Sequence, residues 1–305
     1  MEVSACVTDD DYEAWRAVRI AVVPGERCDT VDELRAQETP ERLMLLARMD
    51  GVVVGSGLAG RSDIAGGGFA VPRVLPDYRR RGVGSALLQH LAAHVAALGV
   101  PVIRGMVEDD GSLAFAARFG FVEKDRQVEQ VRAVADEQLP SPRPDGVEVI
   151  TLDQQPGLWS ACYDGFGKQV LADFATYEPL EVSTDQWNTS WAGDPMFLAL
   201  FDGEVIGCAG LLRDTDRPDR AENALTAVSR DWRGRGVASH LKRCTLHWAA
   251  NHGVRELYTW TQAHNTPMLR LNEQLGYVVG QTSVSLERQL PLSLPATRPR
   301  GASGT

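Results

Sequence analysis

The chain repeats itself, which restricts the fold to two copies of one unit. Residues 79–100 read RRRGVGSALLQHLAAHVAALGV and residues 233–254 read RGRGVASHLKRCTLHWAANHGV; nine of the 22 positions are identical, ungapped, at an offset of 154. Upstream, LMLLARMDGVVVGSGLAG (43–60) answers FLALFDGEVIGCAGLL (197–212). Each is two apolar runs joined by Asp-Gly, Asp50-Gly51 and Asp202-Gly203. That dipeptide favours a tight hairpin turn, because glycine accepts positive φ. Downstream, Phe119-Gly120-Phe121 answers Leu275-Gly276-Tyr277. Three landmarks in one order mark a tandem duplication.

The copies fill residues 1–135 and 147–290. Between them DEQLPSPRPDG (136–146) holds three prolines and reads as a linker. The tail PLSLPATRPRGASGT (291–305) is rich in Pro, Ser and Gly and reads as disordered. In copy one, periodicity predicts an amphipathic helix near Asp10–Val22, the hairpin 43–60 and a strand 68–75. A helix 82–98, a strand 101–107, a helix 111–118 and a closing strand 121–133 follow. Copy two repeats the order with hairpin 197–212, strand 222–229, helix 236–252, strand 255–261, helix 266–275 and strand 277–289. Such alternation argues an α/β fold with a mixed sheet in each copy.

Several function classes are excluded by composition. With 41 acidic against 31 basic residues the net charge is −10, which disfavours nucleic acid and favours cationic small molecules. No run of 18 apolar residues exists, so no membrane span is expected. The acidic start MEVSACVTDDDYEAW does not read as a secretory signal. The five cysteines are scattered and never form CxxC, which argues against a disulfide framework or zinc ribbon and fits the cytoplasm. His90 and His94 stand four apart, but no third ligand is evident, so no metal is expected.

The repeated glycine turn carries the chemistry. A strand, then Arg-x-x-Gly-x-Gly/Ala, then a helix turns backbone N–H groups towards a ligand. The helix N-terminus adds unpaired donors and partial positive charge, so the device suits a phosphate or diphosphate. Copy one supplies Arg79, Arg80, Arg81, Gly82, Val83 and Gly84; copy two supplies Arg233, Gly234, Arg235, Gly236, Val237 and Ala238. GxGxxG and GxxxxGK[ST] are absent, which weighs against dinucleotides and ATP.

At these residues the chain resembles the GNAT acetyltransferase superfamily. The stretches are VLPDYRRRGVGSALL (74–88), VSRDWRGRGVASHLK (228–242), DDGSLAFAARFGF (109–121) and NTPMLRLNEQLGY (265–277). The resemblance implies two tandem GNAT domains arranged as an internal pseudo-dimer, in a monomer or homodimer. It implies acetyl-CoA as co-substrate, its diphosphate at either turn and its pantetheine arm against the backbone of Val74, Leu75, Val228 and Ser229. Direct transfer to the amine of a small molecule follows. An antibiotic, amino sugar or biosynthetic intermediate of actinobacterial type is the expected acceptor. A tandem member that acetylates a pseudo-disaccharide thiol precursor is a second enzymatic reading, and a non-catalytic acyl-CoA-binding protein a third.

A protonated amine needs a base before it can attack. Glu222, six residues before Val228, has the spacing of the family's strand glutamate; the aligned residue in copy one is Gly68. The family's tyrosine acid is replaced by Asn272 and Ala116. Asn265 answers Asp109, and an asparagine is the better neighbour for an anionic cofactor. The expectation is a catalytic C-terminal domain, with Glu222 as base and Asn272 as hydrogen-bond donor, and a structural N-terminal domain or spare CoA site. Asn223 and Thr226 are candidate substrate contacts, Tyr258 and Tyr277 fallback donors and His264 an alternative base. Trp159, Tyr163, Phe166, Trp187 and Trp191 with Asp164 and Asp185 are candidates for amine recognition.

Overall fold

The computed structural model describes residues 1–140, 142–174 and 178–292; the tail beyond lies outside the described residues. The first half runs β1 (Glu2–Ala5), α1 (Asp9–Val22), α2 (Val31–Ala36), β2 (Leu43–Met49), β3 (Val52–Arg61), β4 (Gly68–Val74), α3 (Val83–Ala97), β5 (Val102–Val107), α4 (Asp110–Arg118) and β6 (Val122–Ala133). The second runs β7 (Glu148–Thr151), α5 (Gly157–Ala161), α6 (Lys168–Ala172), α7 (Thr184–Ser190), β8 (Met196–Phe201), β9 (Glu204–Arg213), β10 (Arg220–Val228), α8 (Val237–Asn251), β11 (Glu256–Gln262), α9 (Thr266–Gln274) and β12 (Val278–Gln289).

Local chemistry explains these elements. Both Asp-Gly pairs take left-handed φ, 51° and 80° at Asp50-Gly51 and 51° and 81° at Asp202-Gly203, the turn that matches strand twist. A capping box between Thr8 and Asp11 starts α1. Alternate residues of β2 face opposite layers. Leu45 and Ala47 pack with α3 through Leu87, Leu91 and Val95, whereas Met44 and Leu46 pack with α1 through Tyr12 and Trp15.

All strands join one twelve-stranded sheet in the order β1-β2-β3-β4-β5-β12-β6-β11-β10-β9-β8-β7. The copies have therefore exchanged their last strands. Sequence order predicts that each copy closes its own sheet, but β12 pairs with β5 from Val284↔Val107 to Gln289↔Val102, and β6 pairs with β11 from Ala133↔Glu256 to Gln127↔Gln262. The two exchanged strands also pair with each other. Loops repeat the exchange. Glu181 and Ala65 bond across the halves at 2.7 and 2.8 Å to the carbonyls of Asp63 and Pro179, and Arg16 pairs with Asp216 at 2.6 Å.

A parallel strand pair splays once in each half. β4 and β5 pair only at Gly68↔Ile103 and Phe69↔Arg104, and β10 and β11 only from Arg220↔Glu256 to Glu222↔Tyr258. Beyond each of these points the sheet opens into a wedge.

Candidate active site

The glycine turn lies at the mouth of each wedge. In the first half a 3₁₀ turn, Pro76–Tyr78, leads through Arg79–Arg81 to Gly82, whose φ of 87° caps α3 without any side-chain hydrogen bond. The first amides of α3 are thus left as donors. Arg80 sits at φ 63°, where the second half has Gly234 at φ 73°. A left-handed arginine is strained, a device found where backbone must face a ligand. Arg79, Arg80 and Arg81 are exposed and form no ion pair among the described residues; Arg79 bonds only the carbonyl of Val74, at 3.2 Å.

The second turn is engaged differently. Arg233 and Arg230 both grip Asp173, Arg233 at 2.6 Å. The arginines hold this carboxyl down at about 2. The amides of Leu75 and Ser229 bond back to Val54 and Ile206, at 3.0 and 2.8 Å.

A cavity of about 640 Å³ passes through the first wedge. On the α3 and α4 side it is lined by Leu88, Ser112, Phe115, Ala116 and Phe121, and on the α1 side by Val22–Glu26, Arg73 and Glu108. Strand exchange extends it sideways, because Gln281 and Ser285 from β12 and Trp260 and Gln262 from β11 complete its wall. Arg79 stands at its rim.

Across this wedge Arg73 and Glu108 lie four residues past the last paired positions of their strands. Sequence reasoning missed both. The signal available was their equal distance from the wedge point, legible only once strand register is known. Burial and the neighbouring Glu26 raise the Glu108 carboxyl above its ordinary range, and it accepts a 3.1 Å hydrogen bond from Ser283.

Strand register corrects one alignment. Ala221↔Leu257 and Gly68↔Ile103 are equivalent pairs, so Glu222 corresponds to Phe69, not to Gly68. A bulge between Asn223 and Thr226 of β10 inserts the extra residue and shifts the face. Glu222 consequently points to the face carrying the first half's 24–29 loop. Tyr258 donates to it at 3.0 Å and accepts from the Arg27 amide at 2.9 Å. Desolvation is the main cause that lifts Glu222 to about 7. A carboxyl near neutrality suits a proton acceptor.

The inner lining of the second wedge is polar where the first is apolar. Lys242, Asn272 and Tyr277 replace Leu88, Ala116 and Phe121. Lys242 is 1% exposed; its Nζ donates to Asn223 Oδ1 at 3.0 Å and lies over the Tyr277 ring. Burial lowers its pKa to about 7. Asn272 is fully buried and donates to Gln130 Oε1 at 2.9 Å, its own oxygen lacking a partner among the described residues.

Other sequence candidates are spent locally. Asn265 and Asp109 cap α9 and α4, accepting from Met268 and Ser112 at 3.3 and 2.9 Å. Trp159 and Trp187 stack 4.3 Å apart in the core, each donating its indole N–H to the other's carbonyl at 2.9 Å. Phe166 is buried with them, Tyr163 bonds the Val182 carbonyl and Trp191 packs on Phe174. Asp164 pairs with Lys168 on the surface, Asp185 lies in the first turn of α7, and His264 stands 3.4 Å from Asp125. Thr226 Oγ1 is buried without a hydrogen bond among the described residues.

Comparisons with known proteins match this architecture. The model of the acetyltransferase (GNAT) family fits residues 9–121 and 150–277. The chain is similar to the mycothiol acetyltransferase of Brachybacterium faecium, 31% identical over 75% of this chain and 70% of the relative. It is also similar to that of Clavibacter michiganensis, 28% identical over 84% and 83%. Among solved structures it resembles a tandem GNAT protein from the clavulanic acid biosynthesis pathway, with a TM-score of 0.74, 20% identity and coverage of 96% and 99%, a likeness of fold. The chain belongs to the GNAT acetyltransferase family and carries two copies of its domain in tandem.

Proposed function

We propose that this protein is an acetyl-CoA-dependent N-acetyltransferase acting on a small hydrophilic amine, and that donor and acceptor meet in the first wedge. The carrying observation is the 640 Å³ cavity, which is lined from both faces of the sheet beside a glycine turn. The residues fit an acyl-CoA: free arginines and helix amides for the diphosphate, and an apolar throat at Leu88, Phe115 and Ala116 for the arm. The acceptor enters from the α1 side. Glu108 takes the ammonium proton, the amine nitrogen bonds the thioester carbonyl carbon, the C–S bond breaks, the nitrogen gives up its second proton to solvent as it becomes the amide, and the departing thiolate is protonated from solvent. Loss of a positioned base costs about 10²–10⁴ in rate, so Glu108→Gln is expected to lower kcat by that factor. Ala116→Trp fills the throat and is expected to abolish acetyl-CoA turnover. Full activity in both variants would move the reaction elsewhere.

A second reading keeps catalysis in the C-terminal half. The near-neutral Glu222 beside Tyr258 favours it, with Asn272 as donor. Glu222→Gln would then carry the rate loss. The similarity to mycothiol acetyltransferases makes the desacetyl thiol precursor an acceptor to assay first. Acyl-CoA binding with no turnover of any amine would leave a binding or sensing role.

A further inference from the structure

Resting on acetyl transfer in the first wedge, the geometry points to an acceptor that carries a compact anion, carboxylate or phosphate monoester, beside its amine, with Arg73 holding the anion and Glu108 receiving the amine. Arg73 lines the cavity, yet its Nη1 is shielded from solvent and has no hydrogen-bond partner among the described residues. It forms no ion pair there either; its guanidinium lies 5.8 Å from the Trp15 ring. Buried guanidinium donors are normally satisfied, because leaving one unmade is costly.

The nearby carboxylates of Glu26 and Glu108 offset its burial only in part. Arg19 Nη1 is likewise buried without a partner among the described residues, while Arg19 Nη2 takes Glu26 at 3.1 Å. Glu129, another acidic wall residue, is engaged by Arg220 at 3.3 Å. Desolvation and the like charge of Arg19 press the Arg73 pKa down to about 10. An incoming oxyanion would satisfy the open donors and relieve this repulsion. Glu108, just past the end of the facing strand, then meets the cationic end of the same molecule. An acceptor carrying both charges spans the wedge, and its amine is delivered to the base.

The test uses the full chain with acetyl-CoA and four probes: β-alanine, its amide, 2-aminoethyl phosphate and ethanolamine. CoA release and thermal stabilisation of the CoA-loaded protein are both read. One of the two anionic probes is expected to exceed its neutral counterpart by about 10- to 100-fold in kcat/KM, the worth of a charge-assisted contact. The pair that shows the preference identifies the anion. Arg73→Met removes the preference and Arg73→Lys restores part of it. Equal use of anionic and neutral probes, or a preference that survives Arg73→Met, overturns the inference. If no probe turns over, stabilisation decides: anion-dependent stabilisation lost in Arg73→Met upholds the anion site while catalysis here fails, and its absence overturns the anion site.

Discussion

Two perturbed side chains in the second wedge, Glu222 and Lys242, make opposite demands on pH. Burial raises the folded-state pKa of Glu222 from 4.5 to about 7. Between those values the folded state holds more protons than the unfolded one, so stability falls as pH rises through about 7. Glu222→Gln is expected to stabilise the protein at pH 8 and to be nearly neutral at pH 4, read as Tm against wild type. Lys242 is the reverse case. Its folded pKa is depressed from 10.5 to about 7, so the folded state binds fewer protons across that window and stability falls as pH drops from about 10.5 towards 7. Lys242→Met should raise Tm, by about 2–4 °C for each kcal/mol regained, and raise it more at pH 7 than at pH 10. A gain independent of pH would mean that the amine is not buried as described.

Most elements were legible as periodic patterns: the hairpins, both glycine turns and the helices after them fall within a residue or two of expectation. What escaped was partner choice. β6 and β12 carry the same kind of alternating sequence, and nothing local tells either strand which half to join. The bulge in β10 was equally hidden, because one inserted residue looks like any offset until pairing is known. Its consequence is large, since it moves Glu222 to the opposite face and changes which residue of the first half it answers. The glycine turns were read correctly as motifs, but their different states were not legible: Asp173, far away in sequence, occupies Arg233, whereas Arg79 forms no ion pair among the described residues. Asp173→Ala should therefore free Arg233 and tighten CoA binding to the second turn; calorimetry showing no new or stronger binding would make the carboxylate irrelevant to it.

For the molecule as a whole, strand exchange makes the repeat one folding unit. Without β12, the β5 edge from Val102 to Val107 is unpaired and the first cavity loses Gln281, Ser285 and Leu286 from its wall. Residues 1–135 alone are expected to be aggregated or unfolded by circular dichroism. Co-expression with residues 147–292 should recover a complex that melts cooperatively. A stable monomeric N-terminal fragment would contradict this interdependence. The exchange also explains why a site belonging to the first half carries Trp260 and Gln262 from the second. Substitution of Trp260 should alter acceptor KM while leaving CoA affinity in place.

Crystals of the full chain soaked with CoA test the central claim most directly. The account predicts density threading the β4–β5 splay, its diphosphate against the amides of Gly82–Gly84 with Arg79 alongside and its sulfur near Ala116 and Glu108. Density confined to the β10–β11 wedge, or lying away from both glycine turns, would contradict it.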